Sequence, residues 1–515
     1  MLFAQGGEFG HGALFELRNH SEGKGPLAEN TACWRRLQTL VPFVCVASQL
    51  SSLEETKNKT PAHQSKRDQQ VRHIVPGEGP VEDVPCDAVC RSFYTFACTA
   101  QLEARGWSQS TCGLIFGINE LGILVVLPLS VFSIQKFGSR LAVHYGVFVV
   151  GVSFMLLGFA DNYAGDGAFM FLSFMFRLAA GVCSTLAYMA SFTLLLALPP
   201  RRSTYYLSFL VPHAFGLICG SLLGASAQEA ARFEISYIAL GFAMICVSYV
   251  VPCNLPLDAE VDLLVSNHEI LTPVQTILTR SFRLHTVRTG SIIVAVGSMC
   301  LSYINNTIGP FLLSELKFNP MEVWATFALL YCTAIVTACV VGSLCDRGAP
   351  PVLFTATGLI CMLTGLFFIG PADSFEIPLS WSVGVMGVIA FGLGFATSFV
   401  SVFASLNQTL QTERESTNTI CGVVTAVLVV SHVTGSLLGD VTFGFLADLV
   451  RFSNSAILAM FPILFALAVM TLQVCYASSE SNLITLFDET KDAVSYGSIE
   501  GSTGPLLPEK ESVPF

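Results

Sequence analysis

Eleven mostly apolar stretches, each about as long as the roughly 20 residues a helix needs to cross a bilayer, leave few folds open to this chain. They lie near 111–134, 141–160, 168–198, 203–226, 234–254, 286–312, 321–345, 350–370, 380–408, 418–447 and 454–476. A backbone in lipid must satisfy its own hydrogen bonds, so runs of this length are helices. Composition agrees. Charged residues are 12% of the chain, against about 25% in soluble domains, and mean hydropathy is +0.63. The expected fold class is an all-α membrane protein of about 12 transmembrane helices in two six-helix halves.

The polar stretch 255–285 is the longest break inside the array and is expected to be a cytosolic linker between the halves, 37–254 and 286–476. Residues 1–36 and 477–515 are then a cytosolic N-terminal segment and tail. Lys and Arg place the sides, because they concentrate in cytosolic loops. One side collects Arg35, Arg36, Lys136, Arg140, Arg201, Arg202, Arg280, Arg283, Arg288, Arg347 and Arg414; the other chiefly Arg105, Arg232, Lys317 and Arg451. Both termini facing the cytosol requires an even number of spans. The missing span is the first. Residues 37–50 and 92–102 are short apolar pieces separated by the polar insert 51–91. Either 37–50 spans alone and carries a lumenal loop with the sequon Asn58-Lys59-Thr60, or the two pieces are halves of one interrupted helix, as a retained intron would produce; the second is expected.

The net charge of −11 argues against nucleic acid. Most of the 17 cysteines lie in apolar runs without CxxC metal spacing, so no metal and no cofactor is expected. No nucleophile–base pair or nucleotide loop has usable spacing, so no enzymatic activity is expected.

Polar residues inside the runs carry the functional expectations, since a charge at mid-bilayer costs roughly 2.5–3.5 kcal/mol on insertion scales. Arg177 has about eight apolar residues on each side; Glu120 and Asp440 are the acids deepest in apolar runs. Each is a candidate for a substrate or proton pathway, with a structural polar contact between helices as the alternative. The pattern His213-x-x-Gly216-x-x-x-Gly220 recurs as His432-x-x-Gly435-x-x-x-Gly439 in the fifth and eleventh spans, as two related halves would show. Both histidines are further pathway candidates. Glycines four apart line one helix face and admit a close neighbour, so Gly181, Gly216, Gly220, Gly224, Gly435 and Gly439 are expected at helix crossings.

Short motifs resemble the major facilitator superfamily. Gly342-Ser-Leu-Cys-Asp346-Arg347 resembles its G-x-x-x-D-R loop, and Gln135-Lys136-Phe137-Gly138-Ser139-Arg140 a degraded D-R-x-G-R-R. The resemblance implies gating loops in which Asp346, Arg347, Gln135, Lys136 and Arg140 latch the cytosolic side. Arg177-Leu-Ala-Ala-Gly181 is similar to R-x-x-x-G, and Gly216-Leu-Ile-Cys-Gly220-Ser221-Leu-Leu-Gly224 to the antiporter motif G-x-x-x-G-P-x-x-G with Ser for Pro. GLIFGINELGIL, NNTIGPFLLSELKFNP and GSLCDRGAPP resemble the vesicular amine transporter family, in particular its polyamine branch. That likeness implies exchange of lumenal protons for cytosolic amines in acidic vesicles. Departures are Asn305 at the place of a seventh-span acid, a tenth span without any acid, and Asp440 where proline is usual. In the tail, Tyr496-Gly497-Ser498-Ile499 fits the Y-x-x-Φ sorting pattern, which sorting adaptors read.

The leading expectation is a proton-coupled antiporter of organic cations, with the bilayer, protons and a small organic cation as partners. The alternatives are a uniporter of a neutral or anionic solute and a receptor or scaffold with a transporter fold.

Overall fold

The computed structural model describes residues 88–97, 105–163, 165–196, 204–230, 233–254, 281–370, 381–411, 417–450, 452 and 454–475, all in one compact unit, Val75–Phe515. Among these residues twelve helices follow one another. They are α1 (88–97), α2 (Gln109–Phe137), α3 (Ser139–Tyr163), α4 (Asp166–Leu196), α5 (Thr204–Ala230), α6 (Phe233–Asn254), α7 (His285–Ser314), α8 (Pro320–Asp346), α9 (Pro351–Ile369), α10 (Trp381–Gln411), α11 (Thr417–Leu449) and α12 (Asn454–Cys475). Ten of them contain a stretch long and apolar enough to cross a membrane. The exception with a full run is α5, whose 27 residues span about 40 Å at 1.5 Å per residue. Large side chains such as Phe171, Phe242, Phe461 and Leu472 remain exposed, the pattern of helices whose outer faces meet lipid rather than water.

Local chemistry sets several ends. Asn319 and Glu322 form a reciprocal capping box at the start of α8, with Pro320 in its first turn. At its other end Gly348 takes φ +93, and the N–H groups of Gly348 and Ala349 donate to Cys345 and Leu344. This closes the helix in a left-handed cap that glycine adopts without strain. Pro350 and Pro351 follow at once and start α9. The Asp346-Arg347 pair therefore sits exposed at this corner.

The packing repeats in the two halves. In the first, α3 packs on α4 and α6, and α2 on α4; in the second, α9 packs on α10 and α8 on α10, while α7 packs on α11. The matching contact of α1 with α5 runs through glycine. A methyl group at Gly220 would strike the Val89 carbonyl, and one at Gly224 would come 2.7 Å from Phe96 Cβ. In the second half a methyl at Gly435 would strike the Ala295 carbonyl, and one at Gly439 would come 2.5 Å from the Met299 carbonyl. Gly181 of α4 meets the Asn119 carbonyl of α2 in the same way, and Gly216 is buried.

The halves join through α2 with α11 and α5 with α8. Gly113 lies against Gly444, a Cβ there standing 3.1 Å from its Cα. One turn beyond, the Asp448 carboxylate accepts from the backbone N–H of Gln109 (2.9 Å) and Ser110 (2.8 Å). An acid from one half thus caps the N-terminus of a helix in the other, where orphan N–H groups and the helix dipole favour it. Trp324 Nε1 donates to the Ile218 carbonyl at 3.2 Å, and Phe96 meets Phe327 edge-on at 6.1 Å.

The first helix differs from the sequence expectation. The apolar piece 92–102 predicts a start at 92, after the insert 51–91, yet residues 88–91 are helical. Ala88 and Cys90 continue the buried face of Phe93, Tyr94 and Ala97, and the charge of Arg91, which makes the segment look polar, is neutralised by Glu120. The expected first piece 37–50, most of the linker 255–285, the segment 1–36 and the tail with Tyr496 and Ile499 lie outside the described residues. So do the side chains of Gln135 and Lys136.

Candidate functional site

Between the halves lies one cavity lined by α1, α2, α4 and α5 on one side and by α7, α8 and α11 on the other. The six residues expected in a substrate or proton pathway, Arg177, Glu120, Asp440, Asn305, His213 and His432, all line it. Nothing in their sequence spacing requires this. The crossings of α2 with α4 and of α2 with α11 bring them together, and both crossings are made close by Gly181 and Gly113.

On the first half's side, Arg91 Nη1 donates to Glu120 Oε1 at 2.6 Å. The Glu120 side chain is 6% exposed and that of Arg91 18%, so this is a charge-assisted bond largely out of water. Asn119 Nδ2 is 3.5 Å from the same oxygen, whereas Glu120 Oε2 is buried without a partner. Arg177, 5% exposed, places its guanidinium 4.2 Å above the centre of the Tyr94 ring, a cation–π contact that offsets part of its desolvation. Its Nε is buried without an acceptor. Tyr94 is itself held in an aromatic cluster with Phe116, Phe154 and Tyr237, so the platform under Arg177 is rigid.

The second half answers with neutral groups around one acid. Asn306 Nδ2 donates to Asp440 Oδ1 at 2.7 Å, and Ser302 also hydrogen-bonds to this carboxylate. No Lys or Arg is in ion-pair contact with Asp440 among the described residues, although Glu120 and Arg177 act on it electrostatically. Tyr331 donates its hydroxyl to Asn305 Oδ1 at 2.9 Å. His432 Nδ1 bonds to Ser298 Oγ at 2.7 Å, and His213 Nδ1 is 3.5 Å from the Tyr188 hydroxyl. Several lining groups escaped sequence reasoning, among them Arg91, Asn306, Ser302 and Tyr331, which bond to the expected residues. Arg91 was the findable one, because Cys90, Tyr94 and Ala97 continue its helix at spacings of three and four.

The pattern of the Major Facilitator Superfamily matches residues 86–432. The chain belongs to that superfamily. Within it, the chain is 22% identical over 361 residues to the MFS-type transporter SLC18B1 of Rattus norvegicus, which covers 69% of this chain and 76% of the relative. Against the human protein of the same name the identity is 21% over 360 residues, with the same coverage. Two solved structures share the fold at 11% identity and TM-score 0.59, each covering 76% of this chain and 95% of its own. One is the Escherichia coli xylose transporter XylE, described as partially occluded inward open. The other is a bacterial homologue of the human lysosomal transporter Spinster, in an inward-facing and unoccupied conformation. This superfamily member is therefore a multi-pass transmembrane transporter, and its partners are a small-molecule substrate and the membrane.

Proposed function

We propose that this transporter is a proton-coupled antiporter of organic cations that loads an acidic vesicular, endosomal or lysosomal compartment. The observation that carries this reading is Asp440. It is an acid reaching the central cavity from the second half, held by the neutral donors Asn306 and Ser302 and free of any direct ion pair with Lys or Arg among the described residues. A carboxylate so placed can hold a proton or a substrate cation in turn, and intramembrane acids of this kind mark proton and ion pathways. Glu120, with one oxygen on Arg91 and the other without a partner, is the second acid of the pathway, and Arg177, Asn305, His213 and His432 complete its lining. Transport proceeds by rocking of the two halves, 37–254 and 286–476, about the cavity. The linker 255–285 joins them on the cytosolic side, where the Asp346-Arg347 corner and the Gln135–Arg140 corner act as gating loops. The likeness to SLC18B1 supports an amine substrate, polyamine or monoamine, and the Tyr496–Ile499 pattern supports adaptor-directed sorting to vesicles.

Purified protein in acid-loaded liposomes should take up labelled amine, and Asp440→Asn should reduce gradient-driven uptake to background. Uptake indifferent to collapse of the pH gradient would make the protein a uniporter; ligand-induced thermal stabilisation without any flux would make it a receptor.

A further inference from the structure

Among the described residues, the charged groups lining the cavity are two guanidiniums, Arg91 and Arg177, and two carboxylates, Glu120 and Asp440. One of each is already spent, in the Arg91–Glu120 ion pair. What remains is a cation and an acid from opposite halves: Arg177 on α4, and Asp440 on α11. Arg177 rests on an aromatic face, has no carboxylate in ion-pair contact among the described residues, and leaves its buried Nε without an acceptor. A buried cation without a counter-charge is the costly arrangement in a protein interior. It persists where a ligand supplies the missing charge.

A substrate that is only a polycation fits this inventory poorly, because it meets as many guanidiniums as carboxylates. A substrate with a cationic nitrogen at one end and a carboxylate at the other answers both unspent groups. From these charges we infer that the organic cation carried here is an amino acid-like one, its carboxylate on Arg177 and its ammonium shared between Asp440 and the unpartnered Oε2 of Glu120. The carboxylate–guanidinium contact is the strong, directional one. A molecule bridging α4 and α11 also touches both halves at once, so binding favours their closure around it. The inference rests on the organic-cation reading above and narrows it.

Matched pairs that differ by one carboxylate test it: lysine against cadaverine and ornithine against putrescine. Labelled-substrate counterflow is measured in proteoliposomes of the full chain with no pH gradient. Lysine is expected to exchange at least tenfold faster than cadaverine, and ornithine likewise faster than putrescine. Arg177→Gln should bring each ratio to one or below, whereas Arg177→Lys, which keeps the charge, should preserve the preference in part. A ratio is insensitive to how much variant protein inserts, and the wild-type ratio decides alone should Arg177→Gln not fold. Faster exchange of the diamine, no amino-acid exchange, or a ratio unchanged in Arg177→Gln overturns the inference. Failure of proton coupling is separable: it abolishes gradient-driven uptake and leaves the counterflow ratio intact.

Discussion

The two halves of this transporter share a packing plan and divide the chemistry unequally. In each, a helix carrying H-x-x-G-x-x-x-G lies so close to the half's first helix that a single methyl group would strike its backbone: α5 on α1 at Gly220, and α11 on α7 at Gly435. Yet the charges on the cavity wall come from α1, α2 and α4 in the form of Arg91, Glu120 and Arg177. Among the described residues the second half contributes one acid, Asp440, beside Asn305, Asn306 and Tyr331. Repeated backbone contacts preserve the packing of the helices and leave side chains at the wall free to differ. A cavity whose halves carry different charge can hold its substrate in a defined direction, which a symmetric one does not.

The largest expected effect tests the shared part. Gly220→Leu and Gly435→Leu both place side-chain atoms into a neighbouring backbone, which gives less readily than a core side chain; overpacking alone costs about 1–3 kcal/mol. Both variants should be lost as monodisperse protein by size-exclusion chromatography in detergent. Survival of one alone would show that the halves do not depend equally on this crossing.

The unequal part is tested next. Arg91→Met strands the Glu120 carboxylate in a buried site, at a cost of about 3–5 kcal/mol for a broken buried pair, and the double variant Arg91→Met, Glu120→Gln should recover most of it in thermal unfolding. Asn306→Ala removes one donor from Asp440 and should cost less, about 1–3 kcal/mol. If Asn306→Ala destabilised more than Arg91→Met, the assignment of the ionic load to the first half would be reversed.

A smaller effect is expected at the junction. Asp448→Asn weakens the hydrogen bonds that hold the start of α2, worth about 0.5–2 kcal/mol for a cap and toward the low end at this exposed position. It should raise the reactivity of a cysteine introduced at Ser110 toward a membrane-impermeant thiol reagent. Unchanged labelling would show that the Asp448 cap does not hold the start of α2 in place. The smallest effect belongs to the exposed Asp346→Asn, within about 0.5 kcal/mol in stability, so any larger loss of transport there would reflect gating rather than folding.

Eleven helices were legible because a bilayer leaves an apolar run no alternative: the run 141–160 becomes Ser139–Tyr163, and 350–370 becomes Pro351–Ile369. The first helix was not legible at its start, because Arg91 made a helical turn look like polar insert until Glu120 was placed opposite it. Arg177, Glu120 and Asp440 stood out as charges where charge is expensive. Asn306 and Tyr331 did not, since neutral polar residues in apolar helices are common and only a partner reveals their use. Asp440 and Asp448 are eight residues apart on one helix, about 12 Å; depth in the apolar run picks out Asp440, but the sequence does not say what either carboxylate meets. Position against α2 does: one faces the cavity, and the other caps a helix end.

The sequence by itself determined eleven spans and the repeated H-x-x-G-x-x-x-G pattern, because these follow from composition and short-range spacing along the chain, and its short motifs carried the resemblance to the superfamily. Only the tertiary structure decided which charges cancel. The pairing of Arg91 with Glu120, and the isolation of Arg177 from any carboxylate in ion-pair contact among the described residues, depend on distances between helices that no spacing along one helix encodes.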